Sequence, residues 1–123
     1  PPRHRRRNRR QIPANIQTNA RIAGDDAGIM RIGGFIWPDQ IIQKLLWKHG
    51  VAQDEVLELF VNSPRFRFVE KGDRIGENVY YAAGQTDGGR YLIVFFIYKR
   101  DQQALILSGR DMTKAERKRY DRK

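Results

Sequence analysis

The chain has 123 residues, of which 24 are Lys or Arg and 14 are Asp or Glu, so its net charge is +10 at pH 7. This length suits one domain with little room for a second. The positive charge favours a polyanionic partner, most simply nucleic acid, with an anionic membrane surface as the alternative. The absence of cysteine excludes disulfides, thiolate zinc sites and thiol nucleophiles, and it is compatible with a cytoplasmic protein.

Arginine dominates the first 29 residues, which show no apolar periodicity. The segment carries seven arginines against Asp25 and Asp26, so we expect residues 1–29 to be disordered. Met30 directly precedes the first patterned residues. The segment is therefore a basic arm that adds affinity for nucleic acid or the product of an over-long gene start; a transit peptide is less favoured because serine is scarce. The folded domain is expected to span residues 30–123.

A short strand and a helix are predicted at the start of this domain. The strand covers residues 32–37. Pro38 suits the first turn of a helix and Gly50 its end, which places the first helix at residues 38–49. Apolar residues recur there at helical spacing: Ile41, Ile42, Leu45 and Leu46.

A second helix is predicted from its flanking residues. Asp54 and Glu55 open it, at the end where the helix dipole favours negative charge, and Asn62-Ser63-Pro64 ends it. The two tryptophans near the first helix, Trp37 and Trp47, are interpreted as core residues because large aromatic side chains favour burial.

Strand signals then predict four strands, and a capping motif predicts a last helix. The strands are expected at residues 65–68, 78–84, 90–98 and 104–108. In the first of them, Arg65 and Arg67 share one face. The third is apolar on both faces and belongs in the middle of a sheet. Thr113 and Glu116 form a capping box that opens a short basic helix.

The predicted order is β-α-α-β-β-β-β-α, with short turns between consecutive strands. Such turns favour an antiparallel meander sheet, here covered by two N-terminal helices and a short C-terminal helix, so the fold class is α+β. The longest apolar run is too short to span a bilayer, which needs about 20 residues. Nucleic acid is favoured over a membrane surface as the partner, so no membrane partner is expected. Zinc-finger, Walker, HExxH and RNP motifs are absent from the sequence.

Three groups of residues resemble the BrnT family of bacterial ribonuclease toxins. They are Lys48-His49-Gly50-Val51 followed by Glu55-Val56, the run from Tyr81 to Arg90, and Ser108-Gly109-Arg110-Asp111-Met112-Thr113 with Glu116, Arg117 and Tyr120. The resemblance covers residues 30–123. It departs from the family pattern at Gly109, where members usually have alanine.

This resemblance implies a RelE-like fold and a toxin that cleaves RNA and arrests growth. It also implies neutralisation by a BrnA-type antitoxin encoded beside the toxin, with operator DNA bound only through the antitoxin complex. No cofactor is expected. Two alternatives stay open: a non-catalytic basic module that binds nucleic acid, and an interaction domain whose charge serves solubility.

Cleavage of RNA without a metal ion sets simple requirements. A base takes the 2′-hydroxyl proton, an acid protonates the leaving 5′-oxygen, and cations stabilise the phosphorane charge. His49 is the one imidazole in residues 30–123, and an ordinary pKa of about 6.5 suits proton transfer. The alternative is that His49 only complements the C-terminal dipole of the first helix. Lys48 is a candidate second cation, or a solvated helix residue.

Two arginines at strand ends are the remaining catalytic candidates. The guanidinium forks of Arg90 and Arg110 can each bind two phosphate oxygens and do not lose their charge. The alternative is that they are ordinary edge arginines paired with Asp87 or Asp111. We favour Arg110, because it follows the last strand beside the basic helix.

The RNA-binding surface is predicted on the first strand of the meander and on the last helix. The candidates are Arg65, Arg67, Lys114, Arg117, Lys118 and Tyr120. A basic face with an aromatic ring can bind phosphates and stack on bases, although a solvated amphipathic surface explains the same pattern. Glu116 is expected to be occupied by its capping box, which argues against it as a general base. No metal site is predicted.

Overall fold

A computed structural model describes residues 18–23 and 29–122, with side chains for residues 30–122. Three helices and seven strands lie in these ranges. They are β1 Thr18–Ala23, β2 Ile29–Ile32, β3 Gly34–Ile36, α1 Ile41–His49, α2 Gln53–Val61, β4 Arg65–Arg74, β5 Glu77–Gln85, β6 Tyr91–Tyr98, β7 Gln103–Asp111 and α3 Lys114–Asp121. Each of these helices is too short to cross a membrane.

The strands form one sheet in the order β2-β1-β4-β5-β6-β7-β3, so the predicted α+β class is confirmed. Strands β4 to β7 form an antiparallel meander, as their short turns predicted. The sheet as a whole is mixed, because β1 is parallel to β4 and β3 is parallel to β7. Turn lengths determine only how consecutive strands pair, and these two parallel pairings join segments far apart in sequence.

Strand β6 lies inside the sheet, as its apolar sequence predicted. Its side chains enter one apolar cluster on each face of the sheet. Alternate side chains of a strand point to opposite faces. Leu92, Val94 and Phe96 enter the main core, which also contains residues of α1 and α2. Ile93 and Phe95 join a smaller cluster that includes a tyrosine of α3. The sheet therefore separates α1 and α2 from α3.

Strand β1 lies within residues 1–29, the segment expected to be disordered, and that expectation stays a prediction for the segment as a whole. Thr18–Ala23 pairs with β2 on one side and with β4 on the other. Main-chain pairing to a sheet edge needs no apolar periodicity, which is why composition did not reveal this strand. Residues 1–17 and 24–28 lie outside the described residues. The choice between a basic arm and an over-long gene start depends on this segment.

The first predicted strand and the start of α1 also differ from expectation. Gly33 divides the strand expected at residues 32–37 into β2 and β3. Helix α1 begins at Ile41 rather than at Pro38, because Gln40 has a left-handed backbone with φ of 69°. A residue in that conformation cannot continue a right-handed helix.

The two tryptophans have different environments. Trp37 is half-buried against the main core and stacks on Phe35, with 6.3 Å between ring centroids. Trp47 is 88% exposed, so the prediction that it is a core residue is wrong. Helix α1 turns Ile41 and Leu45 inward, and successive residues rotate by about 100°, which directs Trp47 toward solvent.

Gly109 lies in β7 under α1 and gives a test of how tightly this helix packs. A Cβ atom there would lie 3.3 Å from Cγ2 of Val94 and 3.4 Å from Cδ2 of Leu45. Both neighbours are methyl groups, so Gly109→Ala should change the free energy of unfolding by less than about 1 kcal/mol. Gly109→Leu should lower it by about 1–3 kcal/mol, measured by urea denaturation. Equal losses for both variants would contradict this packing.

Candidate nucleic-acid interface

Arg90 lies between β5 and β6 and fixes the ends of α1 and α2 to the sheet. Its Nε and Nη2 donate to the two carboxylate oxygens of Asp111 at 2.7 and 3.2 Å. Nη1 donates to Gly50 O at 2.8 Å and to Glu55 Oε1 at 3.0 Å, and Nη2 donates to His49 O at 3.1 Å. These five bonds match the five N–H donors of a guanidinium group.

The alternative to a catalytic role was that Arg90 is an ordinary edge arginine paired with an aspartate. The structure contains such a pair, between Arg90 and Asp111. The hydrogen bond from Arg90 is the largest cause that lowers the pKa of Asp111, against partial burial, and the charge of His49 adds a smaller lowering. A phosphate bound by Arg90 would have to displace existing hydrogen bonds of its guanidinium group. The catalytic role of Arg90 stays a prediction.

His49 and Lys48 lie at the C-terminal end of α1, on the side of the sheet that carries α2. They line a hollow of about 120 Å³ between α1 and β7, together with Leu107 and Ser108. Arg110 lies on the opposite face, paired with α3. The structure therefore brings Lys48, His49 and Arg90 near one another but places Arg110 apart from them.

Arg110 is held by the first turn of α3. Its Nη1 and Nη2 donate to the two carboxylate oxygens of Glu116 at 2.8 and 3.0 Å, and its guanidinium carbon lies 5.7 Å from the ring centre of Phe95. Glu116 also accepts from the backbone N–H of Thr113 at 2.8 Å, which confirms the predicted capping box. The bond from Arg110 is the largest cause that lowers the pKa of Glu116 to about 2.

A groove of about 210 Å³ lies between α3 and the sheet, and we call it the α3 groove. Its lining includes four arginines and two tyrosines: Arg65, Arg67, Arg119, Arg122, Tyr81 and Tyr120. The apolar floor is formed by Ala83 and Ile93, and Glu116 lies at the wall. Positive charge around an apolar floor with aromatic rings is suited to a phosphate backbone whose bases stack.

Strand register explains part of this lining. Arg67 stands opposite Tyr81 and Arg65 opposite Ala83, so the alternation in β4 and β5 directs these side chains to the same face. The shared face of the two arginines was predicted from their spacing. Tyr81 was missed, although its alternation with Ala83 is visible once the partner strand is known.

Helix α3 supplies the other side of the groove, and its cations divide into two groups. Arg119 and Arg122 line the α3 groove with Tyr120, at the spacing of one helix face. Both arginines were missed among the predicted RNA contacts. Arg117 instead lies over the ring of Tyr91, 4.1 Å from its centre. The predicted contacts Lys114 and Lys118 are exposed on the helix and lie outside the groove lining.

None of the residues of α3 is fully buried. The helix is held instead by contacts of aromatic side chains and arginine guanidinium groups. Arg65 lies over Tyr120, with 5.2 Å from its guanidinium carbon to the ring centre. Tyr120 packs edge-on against Tyr91 at 5.9 Å between centroids. The Tyr91 hydroxyl donates to Asp121 at 3.3 Å. Within residues 18–23 and 29–122, no group of three acidic or histidine side chains is placed to hold a metal ion.

Comparison with known proteins identifies a family model that matches most of the chain. The model of a family described as "Ribonuclease toxin, BrnT, of type II toxin-antitoxin system" matches residues 37–116, which run from the residue before Pro38 to Glu116 in α3. No curated protein matches the chain. The matched span includes the Arg90 contacts and the sheet side of the α3 groove, whereas Arg119 and Arg122 follow it.

The five bonds of Arg90 predict a structural loss on its removal. Arg90→Ala should lower the free energy of unfolding by about 2–4 kcal/mol, because two carboxylates and two carbonyls lose their donor. Arg90→Lys should recover only part, since an ammonium group lacks the fork. Urea denaturation measures both. The control Arg119→Ala, exposed on α3, should change stability by about 0.5 kcal/mol or less. An Arg90→Ala protein as stable as the unmodified chain would refute this role.

The low pKa of Glu116 predicts a pH-dependent contribution to stability. A carboxyl whose pKa falls from 4.5 to about 2 on folding stabilises the protein above pH 4.5, and this contribution disappears as pH falls toward 2. Glu116→Gln should therefore cost about 1 kcal/mol at pH 7, because the pair is partly solvated, and the cost should shrink below pH 4.5. Thermal unfolding at several pH values measures it. The control Glu70→Gln, exposed on β4, should cost about 0.5 kcal/mol or less at pH 7; a pH-independent loss for Glu116→Gln would contradict the assignment.

Proposed function

Because the chain belongs to the BrnT family of ribonuclease toxins of type II toxin–antitoxin systems, we propose that it cleaves RNA without a metal ion and binds that RNA in the α3 groove. The observation that carries this proposal is the lining of the groove, where four arginines and two tyrosines face one space. Guanidinium groups bind phosphate oxygens and aromatic rings stack on bases, so this lining suits single-stranded RNA.

The proposed reaction is attack of the 2′-oxygen on the adjacent phosphorus. The bond to the 5′-oxygen breaks, which leaves a 2′,3′-cyclic phosphate end and a 5′-hydroxyl end. Negative charge grows on the phosphoryl oxygens in the transition state, and fixed guanidinium groups stabilise it. Arg110 is the first candidate for this role, since its partner Glu116 lines the groove. His49, with Lys48 and Arg90 beside it, lies on the other face of the sheet, so it is the candidate proton carrier only for RNA bound on that face.

Family membership also supports proposals about partners. We propose that a BrnA-like antitoxin neutralises the chain and that operator DNA is bound only through their complex. The site of action would be the cytoplasm, where RNA and antitoxin are made. A RelE-like fold belongs to the same proposal.

A non-catalytic module that binds nucleic acid is the second candidate function. Its support is that the guanidinium groups of both Arg90 and Arg110 already form ion pairs with carboxylates. In that case RNA would bind in the α3 groove and remain intact. Binding would weaken with salt, with a slope of about 0.7 for each phosphate contact on a single strand.

The two functions are separated by cleavage of single-stranded RNA in EDTA. We expect cuts with 2′,3′-cyclic phosphate ends, and growth arrest when the chain is expressed. Arg110→Ala should slow single-turnover cleavage by about 10²- to 10⁴-fold, and Arg110→Lys should not restore the rate, because lysine lacks the fork. His49→Ala should have the smaller effect, because His49 lies between α1 and β7, on the face of the sheet opposite the α3 groove.

Glu116→Gln is the matched control for Arg110→Ala, because it breaks the same ion pair but keeps the guanidinium group. It should retain cleavage if Arg110 acts on the phosphate. Equal losses in both variants would show that the pair only positions α3. Cleavage that requires added Mg²⁺ would refute the metal-independent mechanism, and intact RNA would favour the binding module.

A further inference from the structure

Helix α1 exposes an apolar patch that we call the α1 patch. It consists of Ile42, Leu46 and Trp47, which are 38%, 57% and 88% exposed. Residues four apart on a helix are neighbours, so Ile42 and Leu46 are adjacent, and Leu46 and Trp47 line one open hollow. Contiguous exposed apolar side chains on a small protein mark an interaction surface more often than single ones do.

The α1 patch lies on the side of the sheet opposite the α3 groove. Ile41 and Leu45 face the main core, and Leu45 lies close to Gly109 of β7, so the outer face of α1 points away from the sheet. The ring of Tyr120 belongs to the cluster on the other face. A partner bound to the outer face of α1 would therefore not cover the α3 groove through that contact.

Charge around the patch limits what can bind there. An open hollow of about 610 Å³ is lined by Leu46 and Trp47 together with Gln40, Gln43 and Lys44. Lys44 also lines the hollow on the other side of α1, with Lys48. The helix Ile41–His49 contains no acidic residue. The surface thus combines apolar side chains with positive charge.

We propose that the α1 patch binds an amphipathic segment of the antitoxin, with apolar side chains on Leu46 and Trp47 and acidic side chains opposite Lys44. This rests on the proposed function, which supplies a protein antitoxin as the partner. A second copy of the chain is a poorer occupant, because it would bring the same lysines and a net charge of +10 to the interface. Exposed tryptophans are frequent centres of binding energy.

Fluorescence of Trp47 tests the contact directly. The chain has two tryptophans, so Trp37→Phe leaves Trp47 as the single emitter. The probe is the purified antitoxin-like protein encoded beside this chain's gene. On mixing, the emission of Trp47 should shift to shorter wavelength and become protected from iodide quenching. Trp47 that stays open to iodide in the complex, or no complex with this protein, would overturn the proposal.

Substitutions give a second, independent readout by calorimetry. Trp47→Ala and Lys44→Glu should each weaken antitoxin binding by at least about tenfold, as expected for a central aromatic and a charge reversal. The matched control is Ile75→Ala, since Ile75 is 87% exposed at the β4–β5 turn, away from α1. Unchanged affinity for Trp47→Ala, or an equal loss for Ile75→Ala, would refute the site.

Cleavage by Trp47→Ala separates this proposal from the proposed function. Without antitoxin, this variant should cut RNA at the rate of the unmodified chain. Loss of cleavage in every sample, with antitoxin binding retained, would contradict the ribonuclease proposal and leave the docking site standing. A shift of Trp47 emission with protein concentration alone, or with anionic phosphatidylglycerol vesicles alone, would show a different occupant and overturn the docking site.

Discussion

The guanidinium group of Arg90 joins three parts of the chain that lie 21 to 41 positions away from it. Its donors reach the carbonyls at the end of α1, Glu55 in the first turn of α2 and Asp111 at the end of β7. Glu55 also accepts the N–H of Ala52, so the start of α2 depends on the same carboxylate. A fork that fills all its donors fixes direction as well as charge, which an ammonium group cannot do. This junction ties the end of α1 and the start of α2 to the end of β7.

Positive charge concentrates in the α3 groove because several acidic side chains of the domain are engaged in ion pairs. Three of the described ion pairs engage Glu55 and Asp111 with Arg90, and Glu116 with Arg110. Glu55 and Asp111 lie outside the lining of the α3 groove, whereas Glu116 is part of it. The groove keeps its arginines beside a single carboxylate, Glu116, which already accepts from Arg110 and from the α3 cap. A surface of this kind raises the local concentration of an anionic chain before any chemistry takes place.

The candidate site was only partly visible in the sequence. The shared face of Arg65 and Arg67 follows from strand period alone, and the cap at Thr113 follows from a local motif. By contrast, the partners of Arg90 lie 21 to 41 positions away in the chain, which no local pattern reveals. The exposure of Trp47 was missed for a related reason, because amphipathic spacing gives the direction of a helix face but not how much of it is covered.

The sequence by itself determined the elements whose signals are local. These are the existence of α1 and its end at Gly50, the helix α2, the antiparallel meander β4 to β7, and the capped helix α3. The tertiary structure alone decided the parallel pairings of β1 and β3, the placement of α3 opposite α1, and the grouping of Tyr81 with Arg119 and Arg122. Periodicity, caps and turns act over a few neighbouring residues. Strand partners and helix faces are instead selected by burial and hydrogen bonding across the whole chain.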